Sequence, residues 1–294
     1  MENILFQLIQ GGLTVLAGVF FIWLAKKIDD KRTRDFNDDK QIDDGNLAVG
    51  LRRGGLYLAI AIAFTGSLGG QFGGFFIDLL QFILDGSIIL VALFVSRSIN
   101  DRIMMAHLAN DAEFIKEFQT PGGKIQMGNT ALGFVEAGMF IATGFILRGS
   151  MIGGGGSFFQ SMASTLLFFI LGQATLLFFG WLYELFTRFD VRQEIQKNNM
   201  AAGIGLGGML SALGIILSAS IAGPFTGWAS DIISYFVYAT YGMAMLLIFR
   251  FIVDRLLLPT TDLLTEIQTD QNTAALVVVE GAILAVALLI AASA

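Results

Sequence analysis

Eight long, nearly uncharged apolar blocks dominate the sequence, at 4–25, 46–67, 74–96, 129–149, 158–183, 199–222, 228–250 and 272–293. A bilayer core takes roughly 20 residues of helix to cross. Inside it every backbone polar group must be satisfied internally, which leaves helices or closed barrels. The blocks are continuously apolar instead of alternating, so helices are expected and barrel strands are not. Composition agrees: 55% of residues are hydrophobic and 14% charged, where soluble domains carry roughly a quarter charged. The expected fold is all-α integral membrane, with about eight transmembrane helices.

The connections alternate in kind. Those after spans one, three, five and seven are long and polar (26–45, 97–128, 184–198 and 251–271), and the others are short and Gly-rich, including the run Gly153–Gly156. Of the 18 Lys and Arg, all but Arg148 fall in the long connections or just inside the helices that flank them. The positive-inside rule then predicts cytoplasmic long connections and both termini outside. The first block lacks a basic leader and an A-x-A site, so it is expected to persist as a helix. Residues 97–119 mix charge with apolar residues and suggest an extension of the third helix, broken at Thr120-Pro121-Gly122-Gly123. The chain has no cysteine and one histidine, His107. Disulfides, thiolate chemistry and a His-based metal cluster within one chain are excluded. With no long soluble segment and no HExxH, an enzyme is not expected, nor are cofactors, metals or nucleic-acid partners.

Every even-numbered span opens alike: Asn46-Leu-Ala, Asn129-Thr-Ala, Asn199-Met-Ala and Asn272-Thr-Ala. Each Asn is followed nine residues later by glycine, at Gly55, Gly138, Gly208 and Gly281. An offset of 153 carries Asn46 to Asn199, Asp78 to Asp231, Arg97 to Arg250, Asp101 to Asp254 and Arg102 to Arg255. Trp23 and Trp181 match at an offset of 158. A two-helix unit has been doubled and doubled again. Each unit returns the chain to its starting side, so the four copies run parallel, about an axis along the membrane normal. They either surround a central axis or form two four-helix bundles.

This pattern resembles the YjfL-like family of bacterial inner-membrane proteins, a domain of unknown function. The Asn-x-Ala-Ala helix starts carry the resemblance, best kept in Lys197-Asn-Asn-Met-Ala-Ala-Gly and Gln271-Asn-Thr-Ala-Ala. Two tandem family domains are expected, at 1–153 and 154–294. The resemblance implies an inner-membrane location and an envelope role linked to membrane stress or polyamines, and supplies no established activity. The first half departs from the pattern, with Arg52 and Arg53 where the second has Gly205 and Leu206.

Candidate residues follow from the repeat and from buried charge. Asn46, Asn129, Asn199 and Asn272 are either N-caps or a ring of amides lining a vestibule. Asp85, in the middle of span three, has no cation at its depth and would be paired, hydrated or protonated. It is either a proton or cation group, or a neutral acid bonded through Gln81 or Gln173. Its counterpart in the second half is Tyr238. Asp78 and Asp231 are expected near the outer interface, solvated or capping. Glu136 and Glu280 lie roughly 10–12 Å along their helices. Arg53 is placed to pair with Glu136, whereas Glu280 is expected to lack a cation. Arg97 and Arg102, with Arg250 and Arg255, are expected to pair locally or to anchor headgroups. The small residues of the even spans suit close helix packing. Two functions fit: a proton or cation channel or transporter, with monovalent cations or polyamines as further substrates and a homo-oligomer as an option, or a non-transporting scaffold or envelope-stress component.

Overall fold

The computed structural model describes residues 2–33, 36–67, 75–106, 108, 111–119, 123, 125–152, 158–223, 225–257 and 262–293. The four-glycine run, the break at 120–122 and His107 lie outside them. Eleven helices are described: α1 (Glu2–Arg32), α2 (Asp38–Asp43), α3 (Leu47–Ser67), α4 (Phe75–Arg102), α5 (Thr130–Ile152), α6 (Phe158–Phe186), α7 (Val191–Gln196), α8 (Met200–Ile221), α9 (Trp228–Leu257), α10 (Leu263–Gln268) and α11 (Thr273–Ala292). Eight of these are long and apolar enough to cross a membrane. The fold is all-α, apart from a small antiparallel hairpin of β1 (Glu117–Gln119) and β2 (Ile125–Met127). The expected helical extension over 97–119 is corrected here. Helix α4 stops at Arg102, and a 3₁₀ turn at Asp111–Phe114 leads into the hairpin.

The motif helices α3, α5, α8 and α11 pack in sequence as an inner row. Helices α1, α4, α6 and α9 lie along it, each in contact with inner helices. Small residues hold the inner row together. A Cβ on Gly55 would stand 2.5 Å from the Cα of Ala137, and one on Gly133 would stand 2.8 Å from the carbonyl oxygen of Ala48. Gly138 meets Gly207, Gly203 meets Ala131, and Gly214 meets Ala142 in the same manner. Lipid tails are as apolar as leucine, so helices in a bilayer gain from such close backbone approach and not from burial itself. Nearly all of α5 and α8 is buried. The outer helices carry the exposed apolar side chains that face lipid, among them Phe76, Phe159, Leu166 and Phe236. The inner helices form an open row: Gly54 on α3 and Gly281 on α11 have no neighbour within 4 Å of the place a Cβ would take.

Most lysines and arginines gather at one end of the helices, called the basic side below. There, each inner helix is preceded by a short element: α2, the 3₁₀ turn with its hairpin, α7 and α10. The residue just before each motif Asn has positive φ: Gly45 (84°), Gly128 (79°), Asn198 (62°) and Gln271 (46°). That left-handed residue turns the short element into the membrane helix. Glycine adopts it freely, Asn with modest strain and Gln with more.

Candidate functional site

The four motif asparagines share one geometry. The side-chain oxygen of each accepts from the backbone N–H three residues on, in Val49, Leu132, Ala202 and Ala275, at 3.3, 2.9, 3.3 and 3.2 Å. Three also donate to the following repeat. Asn46 Nδ2 bonds the carbonyl of Phe114 at 2.7 Å, Asn129 that of Ile195 at 2.8 Å and Asn199 that of Ile267 at 2.7 Å. These three are buried. Each is thus a helix cap and a clasp on the next repeat. Asn272 is exposed and caps only its own helix among the described residues.

In the first half the basic side is filled by ion pairs. Arg52 is fully buried, bonds Asp38 at 3.0 Å and lies 4.3 Å from the ring centroid of Phe114. Arg53 pairs with Asp30, with Asp38 at 3.1 Å and with Asp39 at 2.5 Å. Lys26 and then Arg53 hold the Asp39 carboxyl below the usual carboxylate range. The expected Arg53–Glu136 pair is therefore not formed. Helix α2 delivers Asp38 and Asp39 onto the start of α3, and they take Arg53 first. Arg97 pairs with Asp29 at 2.6 Å and approaches Asp101 at 3.6 Å. Glu136 is buried in the field of Arg97 and Arg52, and its Oε2 accepts no hydrogen bond among the described residues.

The second half is built differently, and Glu280 does have a cation. Arg250 Nη1 meets Glu280 Oε1 at 3.2 Å, and the guanidinium lies 4.7 Å from the ring centroid of Tyr183. Helix α9 runs on to Leu257, which places Arg250 about 10 Å inside its end, close to the depth of Glu280 in antiparallel α11. Missing residues make the pair possible. At the offset of 158, Asp29 becomes Thr187; at 153, Arg52 and Arg53 become Gly205 and Leu206. No acid on α6 takes Arg250, so it turns to α11. Gly208 and Gly205 leave the space. A Cβ on Gly208 would stand 2.6 Å from Glu280 Oε2, and one on Gly205 would stand 3.1 Å from Tyr183 Oη. Glu280 is 3% exposed, and its Oε2 has no hydrogen-bond partner among the described residues. A cavity of about 670 Å³ at the basic side reaches Arg250 of this pair but not Glu280, and is lined by Tyr183, Thr187, Arg188, Arg250, Asp254 and Arg255 among others. Asp254 is occupied, accepting from the Leu263 N–H at 2.9 Å.

The remaining acids lie apart from this cluster. Asp85 is half-buried and faces the Ser67 hydroxyl at the end of α3. Gln81 is exposed, and Gln173 bonds Ser96 at 2.8 Å and Thr143 at 3.0 Å, so neither serves Asp85. Asp78 is buried in the first turn of α4 and is not solvated as expected. Asp231 accepts from the Thr226 hydroxyl at 2.5 Å beside the start of α9. It borders a smaller cavity of about 190 Å³ at the opposite end, with Ser150, Ser164, Ser220 and Ser234. Between the two cavities Thr175 on α6 and Tyr235 on α9 share a 2.7 Å hydrogen bond. Arg102 is exposed, and Arg255 lies over the Phe251 ring. Sequence reasoning missed Tyr183, Asp29 and Asp38. The signal available was the offset that sets Asp29 against Thr187.

Fold and repeat define a multi-span membrane protein made of parallel helical hairpins. The chain belongs to the family described as Domain of Unknown Function (DUF350), whose model matches residues 3–151 and again 157–294. It is 22% identical over 265 residues to a UPF0719 transmembrane protein of Aquifex aeolicus (strain VF5), covering 89% of this chain and 92% of that protein. No solved structure matches.

Proposed function

We propose that this chain moves protons across a bacterial inner membrane through its second half, with termini outside, Glu280 as the exchanging carboxyl and Arg250 as the charge that holds or releases it. One observation carries the reading: a cavity open at the basic side is lined by Arg250, and Arg250 meets the buried Glu280 carboxylate behind it. A carboxylate buried in a membrane is costly unless paired, and such groups mark ion and proton paths. Arg250 stabilises the ionised form; swinging away toward the cavity, it would leave Glu280 to take a proton. The second cavity, with Asp231 and its serines, supplies the opposite opening. The Thr175–Tyr235 contact lies between them as a closed layer. Arg188, Arg250 and Arg255 in the lining disfavour polyamines and other cations at this entrance, so the proton fits better.

The first half favours a second reading, a scaffold or envelope-stress component, because its basic-side charges pair with one another. Liposome flux decides between them. Wild type is expected to move H⁺ above empty liposomes, Glu280→Gln to fall to the empty-liposome level, and Asp85→Asn to retain flux. Absence of flux above empty liposomes for the wild-type protein removes the transport reading.

A further inference from the structure

The two ends of the inner row are complementary to each other. At the interfaces of α3 with α5 and of α5 with α8, one helix presents the residues 2, 9, 13 and 20 places after its motif Asn. The next helix presents those 4, 8, 15 and 19 places after its own. Thus Ala48 meets Gly133, Gly55 meets Ala137, Ala59 meets Gly144 and Gly66 meets Arg148. Between α5 and α8 the same positions meet: Ala131 and Gly203, Gly138 and Gly207, Ala142 and Gly214, Gly149 and Ser218. At the last interface Gly208 meets Glu280.

The unpaired ends carry the same code. On α11 the leading positions are Ala274, Gly281, Ala285 and Ala292, all exposed. On α3 the trailing positions are Gly50, Gly54, Ala61 and Thr65, exposed or half-exposed. No atom lies within 4 Å of a Cβ built on Gly50, Gly54 or Gly281. Bulky side chains flank both stripes: Val277, Val278 and Leu288 on α11, Leu47 and Leu58 on α3, each about half exposed or more. A second observation lies outside the membrane helices. Three motif asparagines donate their amide to a carbonyl in the short element of the next repeat. The fourth, Asn272, has no such acceptor among the described residues. The short element with no incoming Asn is α2, whose Ile42 carbonyl accepts from Gly45 N–H. It corresponds to the Ile195 carbonyl, which accepts from Asn198 N–H and also receives Asn129.

We infer that a second copy of this chain docks head to tail. Its α3 packs on α11 of the first, and Asn272 of the first bonds the Ile42 carbonyl of the second. The occupant is the chain itself because the surface continues an interface the chain already forms between α3 and α5 and between α5 and α8. Such a contact is heterologous, and it closes into a ring or extends as a row.

The chain has no cysteine, so introduced cysteines report cleanly. Positions 13 and 15 places after the Asn meet across the internal interfaces, as Ala59 with Gly144 and Ala142 with Gly214, which makes Ala285 and Ala61 a pair to test. In membranes, a chain carrying both Ala285→Cys and Ala61→Cys is expected to give disulfide-linked dimers and larger species on mild oxidation. Mixing the single variants should give only the mixed dimer, and each variant alone none. Ser96→Cys with Thr143→Cys, at positions whose hydroxyl oxygens lie 2.8 Å apart and closing within one chain, is the control for oxidation. Ala285→Trp, on an exposed face, should leave the monomer folded and cut the oligomer in lipid nanodiscs on the order of tenfold by mass. A double variant that stays monomeric while the control closes would show that lipid covers both faces and overturn the inference. So would homotypic cross-links through Ala285→Cys alone.

Discussion

The two halves of this molecule share one architecture and differ at the basic side. The first half closes that end with Arg52, Arg53 and Arg97 against Asp29, Asp30, Asp38 and Asp39. The second buries a single arginine pair, Arg250 with Glu280, and leaves a cavity beside Arg250. A duplicated unit needs one copy to hold the frame. The other can then lose its stabilising charges and keep a buried acid behind a single arginine.

The division can be broken from either side. Arg52→Met should have the largest effect. It leaves Asp38 buried with one cation fewer, and breaking a buried pair this way costs about 3–5 kcal/mol. Thermal unfolding in detergent should drop sharply, and an unchanged midpoint would show that the first-half charges do not hold the frame. Gly208→Ala comes next, driving a methyl into the Glu280 carboxylate; overpacking of this kind costs about 1–3 kcal/mol. Proton flux should fall with it, while the same change at exposed Gly281 leaves flux intact.

Asn199→Ala should destabilise by about 2 kcal/mol, losing both a cap and a buried clasp. Asn272→Ala should cost about 1 kcal/mol, losing a cap only. Equal losses in detergent-solubilised monomer would refute the clasp. The smallest effect is a gain: Gln271→Gly should stabilise by roughly 1 kcal/mol, since Gln271 holds a left-handed turn that glycine adopts freely. No gain in the unfolding midpoint would show that the Gln271 turn carries little strain.

Much of this was legible in the chain. Length and continuity of the apolar blocks give the eight spans, and Asn46, Asn129, Asn199 and Asn272 mark the inner helix starts. Their capping follows from residue type. The ion pairing was not legible. Arg53 and Glu136 share a repeat position, but Asp38 and Asp39 reach Arg53 from α2, an element with no apolar periodicity to reveal it. Arg250 meets Glu280 because α9 continues past the apolar block, and span length read from hydropathy undershoots wherever a helix leaves the membrane. The open row was hidden for another reason. Repeats establish that units are parallel, while the positions of small residues on two faces of each inner helix decide which unit touches which.

The asparagine clasp also bears on how the protein is made. Each donor leaves the ribosome 66 to 68 residues before its acceptor carbonyl. A newly inserted hairpin therefore waits, cap formed and one amide N–H still without its carbonyl, until the next hairpin arrives. Assembly in the bilayer then runs in the order of translation, each repeat templated by the one before it, with no distant segment needed to complete an early one.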